Sequence, residues 1–187
     1  MKRDIITEKI KKIEEYLPNT EKYSIRLDAN ESPFLPSEEI MSEFRAALDK
    51  IEFDRYPDPY ATELVESFAK YCGIAPENVV AGNGSDEIIS LICSGFIDPG
   101  DVVTVTVPDF SMYEFYSELA GGKIDKVGKD RNLKVDIDSL IDHVRKNRSK
   151  ILMFSNPCNP TGQLIDRNEI ARLCKSLDDT LVVVDEA

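Results

Sequence analysis

This sequence of 187 residues has little histidine and no closely spaced pair of cysteines. It contains one histidine, His143, and four widely separated cysteines: Cys72, Cys93, Cys158 and Cys174. A zinc site needs several Cys or His ligands at short spacing, so the composition argues against one, and we predict no metal site. All the cysteines except Cys158 lie in apolar helical patterns, from which we expect buried, reduced thiols and a cytoplasmic protein.

Basic residues and long apolar runs are also scarce. Lysine and arginine number 23 against 35 acidic residues, which gives a net charge of −12 and argues against nucleic acid or an anionic membrane as partner. No run approaches the length of a membrane span, and residues 1–16 lack the apolar core of a signal peptide. The hydrophobic share of 42% is typical of a globular chain with a buried core.

Strand-like and helical patterns alternate after about residue 78. We predict strands at residues 79–81, 102–107, 123–127, 151–155 and 181–185. The helix between the first two strands, 88–96, is apolar on nearly every side, so we expect it to be buried. Asp166 and Glu169 have the spacing of a capping box for the helix before the last strand. This alternation predicts a mostly parallel sheet with helices on both faces.

Upstream of this region the sequence predicts helices without strands. Apolar residues at helical spacing indicate a helix over 4–16, and Ser37 can cap another that carries an apolar face from Ile40 to Ile51. A further helix over about 61–71 is expected to bury three side chains: Leu64, Val65 and Phe68.

Two candidate functional features fall at carboxyl ends of predicted strands, which share one edge of a parallel sheet. The glycine turn before Ser85 and Asp86 opens a helix, whose free N–H groups and dipole suit a phosphate. Phe110 offers a flat apolar face on which a ring can stack. Taken singly, the first is equally typical of an ordinary helix start, and the second of a core aromatic residue.

Two polar side chains lie at the same edge. Asn159 belongs to the loop 156–162, whose two Asn-Pro pairs stiffen the backbone, and its amide can donate to a phenolic oxygen beside an imine. Asp185 ends an apolar strand, where a carboxylate is costly unless a cation such as a protonated pyridine nitrogen meets it. The alternative for the loop of Asn159 is an ordinary Pro-rich turn between strand and helix. The alternative for Asp185 is a helix cap or a solvent-exposed strand end. Together the four features match the needs of pyridoxal 5′-phosphate (PLP): phosphate, ring face, ring oxygen and ring nitrogen.

The sequence resembles the fold type I, class II aminotransferases, and among them histidinol-phosphate aminotransferase. The stretches that carry the resemblance are residues 27–34, 55–59, 82–87, 156–162 and 182–187. The resemblance implies an α/β fold, the three-layer α/β/α architecture of PLP-dependent transferases with a mostly parallel sheet, truncated in this chain. Residues 1–50 would form the amino-terminal arm and part of the small domain, and residues 51–187 an incomplete PLP-binding domain.

The resemblance also assigns cofactor roles. The backbone of Ser85 and Asp86 would hold the cofactor phosphate, and Phe110 would stack on the ring. Asn159 would bond the ring oxygen, and Asp185 would pair with the pyridinium nitrogen.

Four residues outside this group would act in a dimer or on the substrate. Tyr56 would reach the cofactor phosphate of the neighbouring subunit, so the resemblance implies a homodimer with shared sites. Tyr16, Asn30 and Glu31 would lie near the substrate on the amino-terminal arm.

The implied activity is transfer of an amino group between histidinol phosphate and 2-oxoglutarate or glutamate, a step of histidine biosynthesis. The lysine that forms the Schiff base with PLP would lie beyond Ala187, because no lysine here matches the family's context; the chain alone is therefore expected to be inactive. Threonine-phosphate decarboxylase and an aromatic aminotransferase of the same fold are alternatives. A further alternative from another class is a non-catalytic fragment that binds PLP or only forms a dimer.

Overall fold

The computed structural model describes residues 5–13, 21–25 and 31–187. These residues fall into two units: residues 5–13 with 82–187, and residues 21–25 with 31–81. The first unit contains the sheet. The prediction of a domain division near residue 50 concerns the whole protein and stays a prediction.

A four-stranded parallel sheet forms the centre of the larger unit. Its strands are β1 (Val102–Val107), β2 (Lys123–Gly128), β3 (Ile151–Ser155) and β4 (Leu181–Asp185). They lie in the order β2-β1-β3-β4, and every pair is parallel. The inner strands β1 and β3 are almost fully buried because their apolar side chains are covered on both faces. The predicted parallel sheet and the edge position of β2 are confirmed.

Helices cover both faces of this sheet, as predicted. On one face α4 (Gly84–Phe96) and α5 (Met112–Ala120) pack on side chains that include Val103, Val105 and Met153. On the other face α6 (Ile137–Asn147) and α7 (Arg167–Ser176) pack on Leu152 and Phe154. Successive strand residues point to opposite faces, so each strand feeds both cores.

A short helix also belongs to the larger unit. It is α1 (Glu8–Lys12), and Lys9 at its start donates a hydrogen bond to the Leu119 carbonyl at the end of α5. The remainder of the helix predicted over 4–16 falls partly outside the described residues. None of the helices in the described ranges combines the length and apolarity needed to span a bilayer.

The smaller unit contains helices but no strand within its described residues. They are α2 (Glu38–Leu48), α3 (Thr62–Cys72) and a short 3-10 helix (Pro76–Asn78). Ser37 caps α2 by accepting from the Ile40 N–H, as predicted. The expected burial of α3 is wrong in part: Leu64 is 60% exposed and Phe68 51% exposed. Two helices and one 3-10 turn supply no sheet against which this apolar stripe can pack.

Two expectations for residues 79–96 are also wrong. Residues 79–81 are extended but form no strand, because no strand of the described chain pairs with them, and Val80 is 79% exposed. Helix α4 buries only one side, that of Ile89 and Cys93, whereas Leu91 and Phe96 are exposed. Apolar residues on every side of a helix do not show that every side is covered, and here the sheet covers one side only.

The expectation of buried thiols at Cys72, Cys93 and Cys174 holds for one of the three. Cys93 is buried against the sheet, but Cys72 and Cys174 are exposed. Both lie beside the buried stripes of their helices; Leu173, the neighbour of Cys174, takes the inward position on α7.

The capping prediction for α7 is half right. The Asp166 carboxylate accepts from the Asn168 N–H at 2.8 Å and so caps the helix. Glu169, however, accepts two hydrogen bonds from Arg172 and does not reach back to the cap. An arginine one turn downstream offers the carboxylate a charged donor.

Asp125 on β2 links the edge strand to α6. Its carboxylate accepts from Thr104 at 2.9 Å and from Asn147 at 2.9 Å, and His143 Nε2 lies 2.7 Å away. Burial by itself would raise the pKa of Asp125, but hydrogen bonds from Asn147, Thr104 and His143 outweigh it and the pKa is lowered. The ionised carboxylate therefore stabilises the folded chain.

We expect Asp125→Asn to lower the free energy of unfolding at neutral pH by about 1–3 kcal/mol. The new amide N–H groups would point at side chains that now donate to the carboxylate, so hydrogen bonds are lost. A lowered pKa contributes stability above the unfolded-state value and loses it as pH falls through the folded-state value. The difference between the two proteins should therefore shrink as the pH falls below the usual aspartate pKa of about 4. Urea unfolding across this range measures it, and a difference that is independent of pH would contradict the assignment.

Candidate functional site

Asp185 is held in place by a buried tyrosine at the carboxyl edge of the sheet. The Tyr113 hydroxyl, on α5, donates to Asp185 Oδ2 at 2.8 Å, and the Ala187 N–H donates to Oδ1 at 3.0 Å. Tyr113 is 1% exposed, and burial followed by the contact with Asp185 raises its pKa well above the usual range. Tyr113 therefore stays a donor at physiological pH, and Asp185 is presented as a half-buried, oriented carboxylate.

Phe110 packs against Tyr113, the residue that holds the Asp185 carboxylate. Its ring meets Tyr113 edge-on, with centroids 5.6 Å apart and planes at 83°. The edge of one ring against the face of the other is a favourable aromatic arrangement and fixes both side chains. Phe110 is half-buried, so part of its ring remains accessible at the same edge as Asp185.

The two asparagines of the loop 156–162 have different tasks. The buried Asn156 accepts from the Ile165 N–H at 2.8 Å through Oδ1 and donates to the Ile165 carbonyl at 3.2 Å. Its side chain is fully used in closing the loop. Asn159 is exposed, and within the described residues its side-chain amide has no hydrogen-bond partner. Of the two, Asn159 is therefore the one available to a ligand.

Ser155 joins Asn159 to the strand ends. Its hydroxyl accepts from the Asn159 N–H at 2.8 Å and donates to the Asp109 carboxylate, and Ser155 lies opposite Asp185 in the register of β3 and β4. The peptide bonds before Pro108, Pro157 and Pro160 are cis. These contacts fix the backbone on both sides of Asn159.

Asp109 is a buried carboxylate that the sequence analysis passed over. It accepts from Thr106 at 2.6 Å and from the Phe110 N–H at 2.9 Å, and it forms an ion pair with Lys129 at 3.2 Å. Both charged side chains are 2% exposed. Its position directly after β1 is the signal that could have revealed it, because a polar residue there must face the sheet edge.

Lys129 directly follows β2, so a lysine does lie at a strand end. The ammonium donates to the Pro108 carbonyl at 2.6 Å and to Cys158 Sγ at 2.8 Å, besides its ion pair with Asp109. These three acceptors use all its donors. Strand β2 is at the opposite side of the sheet from β4 and Asp185, which separates Lys129 from the carboxylate described above.

The start of α4 carries the predicted anion-binding turn. Gly84 opens the helix with φ +79°, a backbone conformation that favours glycine. The Glu87 carboxylate reaches back and accepts from the backbone N–H and the side-chain amide of Asn83, so the Asn83 N–H has a partner. The N–H groups of Ser85 and Asp86 have no acceptor in the described part of the chain, and they lie at the positive end of the helix dipole.

The remaining predicted residues belong to the smaller unit or lie outside the described residues. Tyr56 and Glu31 belong to the smaller unit, and both side chains are exposed. Tyr16 and Asn30 lie outside the described residues.

Residues 22–187 match the family model described as aminotransferase class I and II. The chain belongs to this family. A histidinol-phosphate aminotransferase from Clostridium novyi is 38% identical over 187 residues, which is all of this chain and 52% of that protein. The chain thus spans about half the length of the curated relatives it matches.

Solved structures of the family confirm the fold. A crystal structure of histidinol-phosphate aminotransferase from Sinorhizobium meliloti in complex with pyridoxal-5′-phosphate superposes with a TM-score of 0.87, covering 99% of this chain and 51% of that one at 23% identity. A threonine-phosphate decarboxylase from Porphyromonas gingivalis has a TM-score of 0.66 over 81% of this chain and 45% of that one, at 22% identity. The α/β fold of PLP-dependent aminotransferases is thereby established for this chain.

Proposed function

We propose that this chain is the amino-terminal, cofactor-binding part of a PLP-dependent aminotransferase that acts on histidinol phosphate, with glutamate and 2-oxoglutarate as the other substrate pair. The family membership and the shared sequence with histidinol-phosphate aminotransferases support the proposal. The observation that carries it is the Asp185 carboxylate, oriented by Tyr113, whose ring is in turn packed edge-on against Phe110.

The residues at the sheet edge fit PLP part by part. The N–H groups of Ser85 and Asp86 at a helix start, for which the described residues offer no acceptor, match a phosphate. The free Asn159 amide matches the phenolic oxygen, Phe110 the ring face, and Asp185 the ring nitrogen. All five residues belong to the same unit.

PLP, when bound, supplies an electron sink through which an amino group can pass between two substrates. Asp185 would keep a proton on the ring nitrogen, because an oriented carboxylate in a half-buried site favours a neighbouring cation. Tyr113 would hold that carboxylate in place, and Asn159 would fix the ring by donating to its oxygen. Ser85 and Asp86 would bind the phosphate through their backbone.

Asn156 and Asn159 form a matched pair that separates folding from binding. Asn156→Ala leaves the half-buried backbone N–H and carbonyl of Ile165 without these partners and is expected to lower the free energy of unfolding by about 1–3 kcal/mol. Asn159→Ala should leave that free energy unchanged and weaken PLP binding about tenfold, the effect of one lost hydrogen bond. Urea unfolding and absorbance titration with PLP measure the two effects, and equal behaviour of the two variants would contradict the assignment.

Substrate choice is tested on a chain of full family length. We suggest joining this chain at Ala187 to the carboxyl-terminal half of the Clostridium novyi relative. The joined protein is then assayed for amino transfer in the presence of PLP. The proposal predicts amino transfer from histidinol phosphate to 2-oxoglutarate, and no transfer by the chain alone. Release of carbon dioxide from threonine phosphate would favour the decarboxylase alternative, an enzyme with a similar fold. Preference for an aromatic amino acid would favour an aromatic aminotransferase.

We further infer a cytoplasmic homodimer in which Tyr56 reaches the cofactor phosphate of the neighbouring subunit. The full exposure of Tyr56 and the exposed apolar side chains of α3 and α4 are in keeping with this. Sedimentation of the full-length protein should give a dimer, and Tyr56→Phe should weaken PLP binding without changing the dimer. A stable monomer that turns over substrate would contradict the shared site; a dimer that binds no PLP would favour the non-catalytic alternative.

A further inference from the structure

Cys158 and Lys129 form a buried thiol–ammonium pair that the cofactor roles above do not use. Lys129 Nζ lies 2.8 Å from Cys158 Sγ, and the thiol also points to the Pro108 carbonyl at 3.6 Å. The Asp109 carboxylate also pairs with the ammonium at 3.2 Å and helps to fix its position. The cation is therefore held against the sulfur by three elements of the fold, the ends of β1 and β2 and the loop 156–162.

A cavity gives small molecules access to this pair. It has a volume of about 380 Å³ and lies between the residues after β2, the loop after β3 and the first turns of α6 and α7. Lys129, Cys158 and Ser155 line it together with Thr106 and Gln163. Cys158 is only 6% exposed, so hydrogen peroxide and a small trapping reagent reach the sulfur through this cavity.

The other thiols supply a contrast within the same chain. Cys72 and Cys174 are exposed, but neither has a cation or any hydrogen-bond partner in the described ranges. Cys93 is buried, and burial raises its pKa despite the contact with Ser117. For Cys158, burial by itself would raise the pKa, but hydrogen bonds from Lys129 and Thr161 outweigh it and the pKa is lowered. A thiolate is the reactive form of cysteine.

We propose that Cys158 is a peroxide-oxidised modification site, with Lys129 as the cation that stabilises both the thiolate and its oxidised product. The thiolate sulfur attacks one oxygen of hydrogen peroxide, an S–O bond forms and the O–O bond breaks. The sulfur loses two electrons, which the peroxide gains, and the departing hydroxide takes a proton to become water. Lys129 then donates a hydrogen bond to the new sulfenic oxygen.

Oxidation would alter the contacts of the loop 156–162, to which Cys158 belongs. Cys158 immediately precedes Asn159, and the Cys158 N–H and carbonyl are bonded to Gln163 and Gly162. A sulfenic oxygen needs room beside Lys129 and competes with Asp109 for the ammonium. Asp109 also accepts the Ser155 hydroxyl, which holds the Asn159 N–H. The modification therefore acts on the segment that positions Asn159.

The test is a competition among the four thiols of the folded protein. Hydrogen peroxide is added with a 1,3-diketone that traps sulfenic acid, and peptide mass spectrometry gives the rate of labelling at each cysteine. We expect Cys158 to be labelled about three- to tenfold faster than the more exposed Cys72 and Cys174, because it alone has a cation at the sulfur. Lys129→Met should bring Cys158 to or below the rate of those two, and Lys129→Arg should restore much of the difference.

Labelling of Cys93, which is buried, reports unfolding in the same experiment. If Lys129→Met also labels Cys93, that variant has lost its fold, and the ranking in the wild-type protein and in Lys129→Arg decides. Cys158 labelled no faster than Cys72 and Cys174 in the folded wild-type protein would overturn the proposal, as would a folded Lys129→Met protein with an unchanged ranking. Since the readout is labelling and requires no PLP, failure here leaves the aminotransferase proposal standing.

Discussion

Replacing Asp185 by asparagine is expected to slow amino transfer about a thousandfold in the full-length, PLP-loaded protein, the effect of removing one preorganised electrostatic group from a reacting centre. Asparagine has the same size and still accepts from the Tyr113 hydroxyl, so the fold should be retained. What it lacks is the negative charge that would keep the ring nitrogen protonated. Steady-state kinetics with histidinol phosphate measure the loss, which we expect mainly in kcat.

Glu186→Gln is the matched control for this experiment. It removes the same charge one position along the chain, on an exposed side chain beyond β4, and should leave the rate unchanged. Tyr113→Phe should give an intermediate loss of about tenfold, because it removes one hydrogen bond to a charged group and leaves the carboxylate. A fully active Asp185→Asn protein would show that the carboxylate does not serve the ring nitrogen.

Replacing Asp109 by alanine is expected to lower the free energy of unfolding by about 3–5 kcal/mol, because it leaves the Lys129 ammonium buried without its counter-ion. The same change removes the acceptor for Thr106, Ser155 and the Phe110 N–H. Through its side chain Asp109 thus joins the carboxyl ends of β1, β2 and β3. Chemical denaturation at neutral pH gives the loss directly.

Asp98→Ala is the comparison that isolates burial. Asp98 also pairs with a lysine, Lys150, at 3.1 Å, but its side chain is 86% exposed. Exposed ion pairs contribute little, so this variant should unfold at the same denaturant concentration as the wild-type protein. Similar small losses for the two variants would mean that the Asp109–Lys129 pair does not hold the strand ends together.

The features that the sequence predicted well are those set by local chemistry. Alternating apolar runs and helical patterns indicated the parallel sheet, Ser37 and Asp166 were correctly identified as caps, and Asp185 was placed at a strand end. Each depends on a few neighbouring residues, which a sequence displays directly. The glycine turn before α4 is of the same kind, since φ at Gly84 excludes most other residues.

The features that the sequence missed depend on distant parts of the chain. Tyr113 was one aromatic residue on a helix until the fold brought its hydroxyl to Asp185, 72 positions away. Asp109 and Lys129 gave no sign of pairing, because they follow different strands. The burial of Leu64 and Phe68 was wrong because helical spacing identifies an apolar face and leaves open what covers it.

The most direct test of the proposed cofactor site is the mass of the protein after incubation with PLP and reduction by borohydride. We would compare this chain with the same chain joined at Ala187 to the carboxyl-terminal half of the Clostridium novyi relative. The proposal predicts one PLP adduct on the joined protein, at a lysine beyond residue 187, and no adduct on this chain alone. An adduct at Lys129, or at any other lysine of this chain, would contradict it, because the ring would then be attached away from the arrangement of Asp185, Phe110 and Asn159.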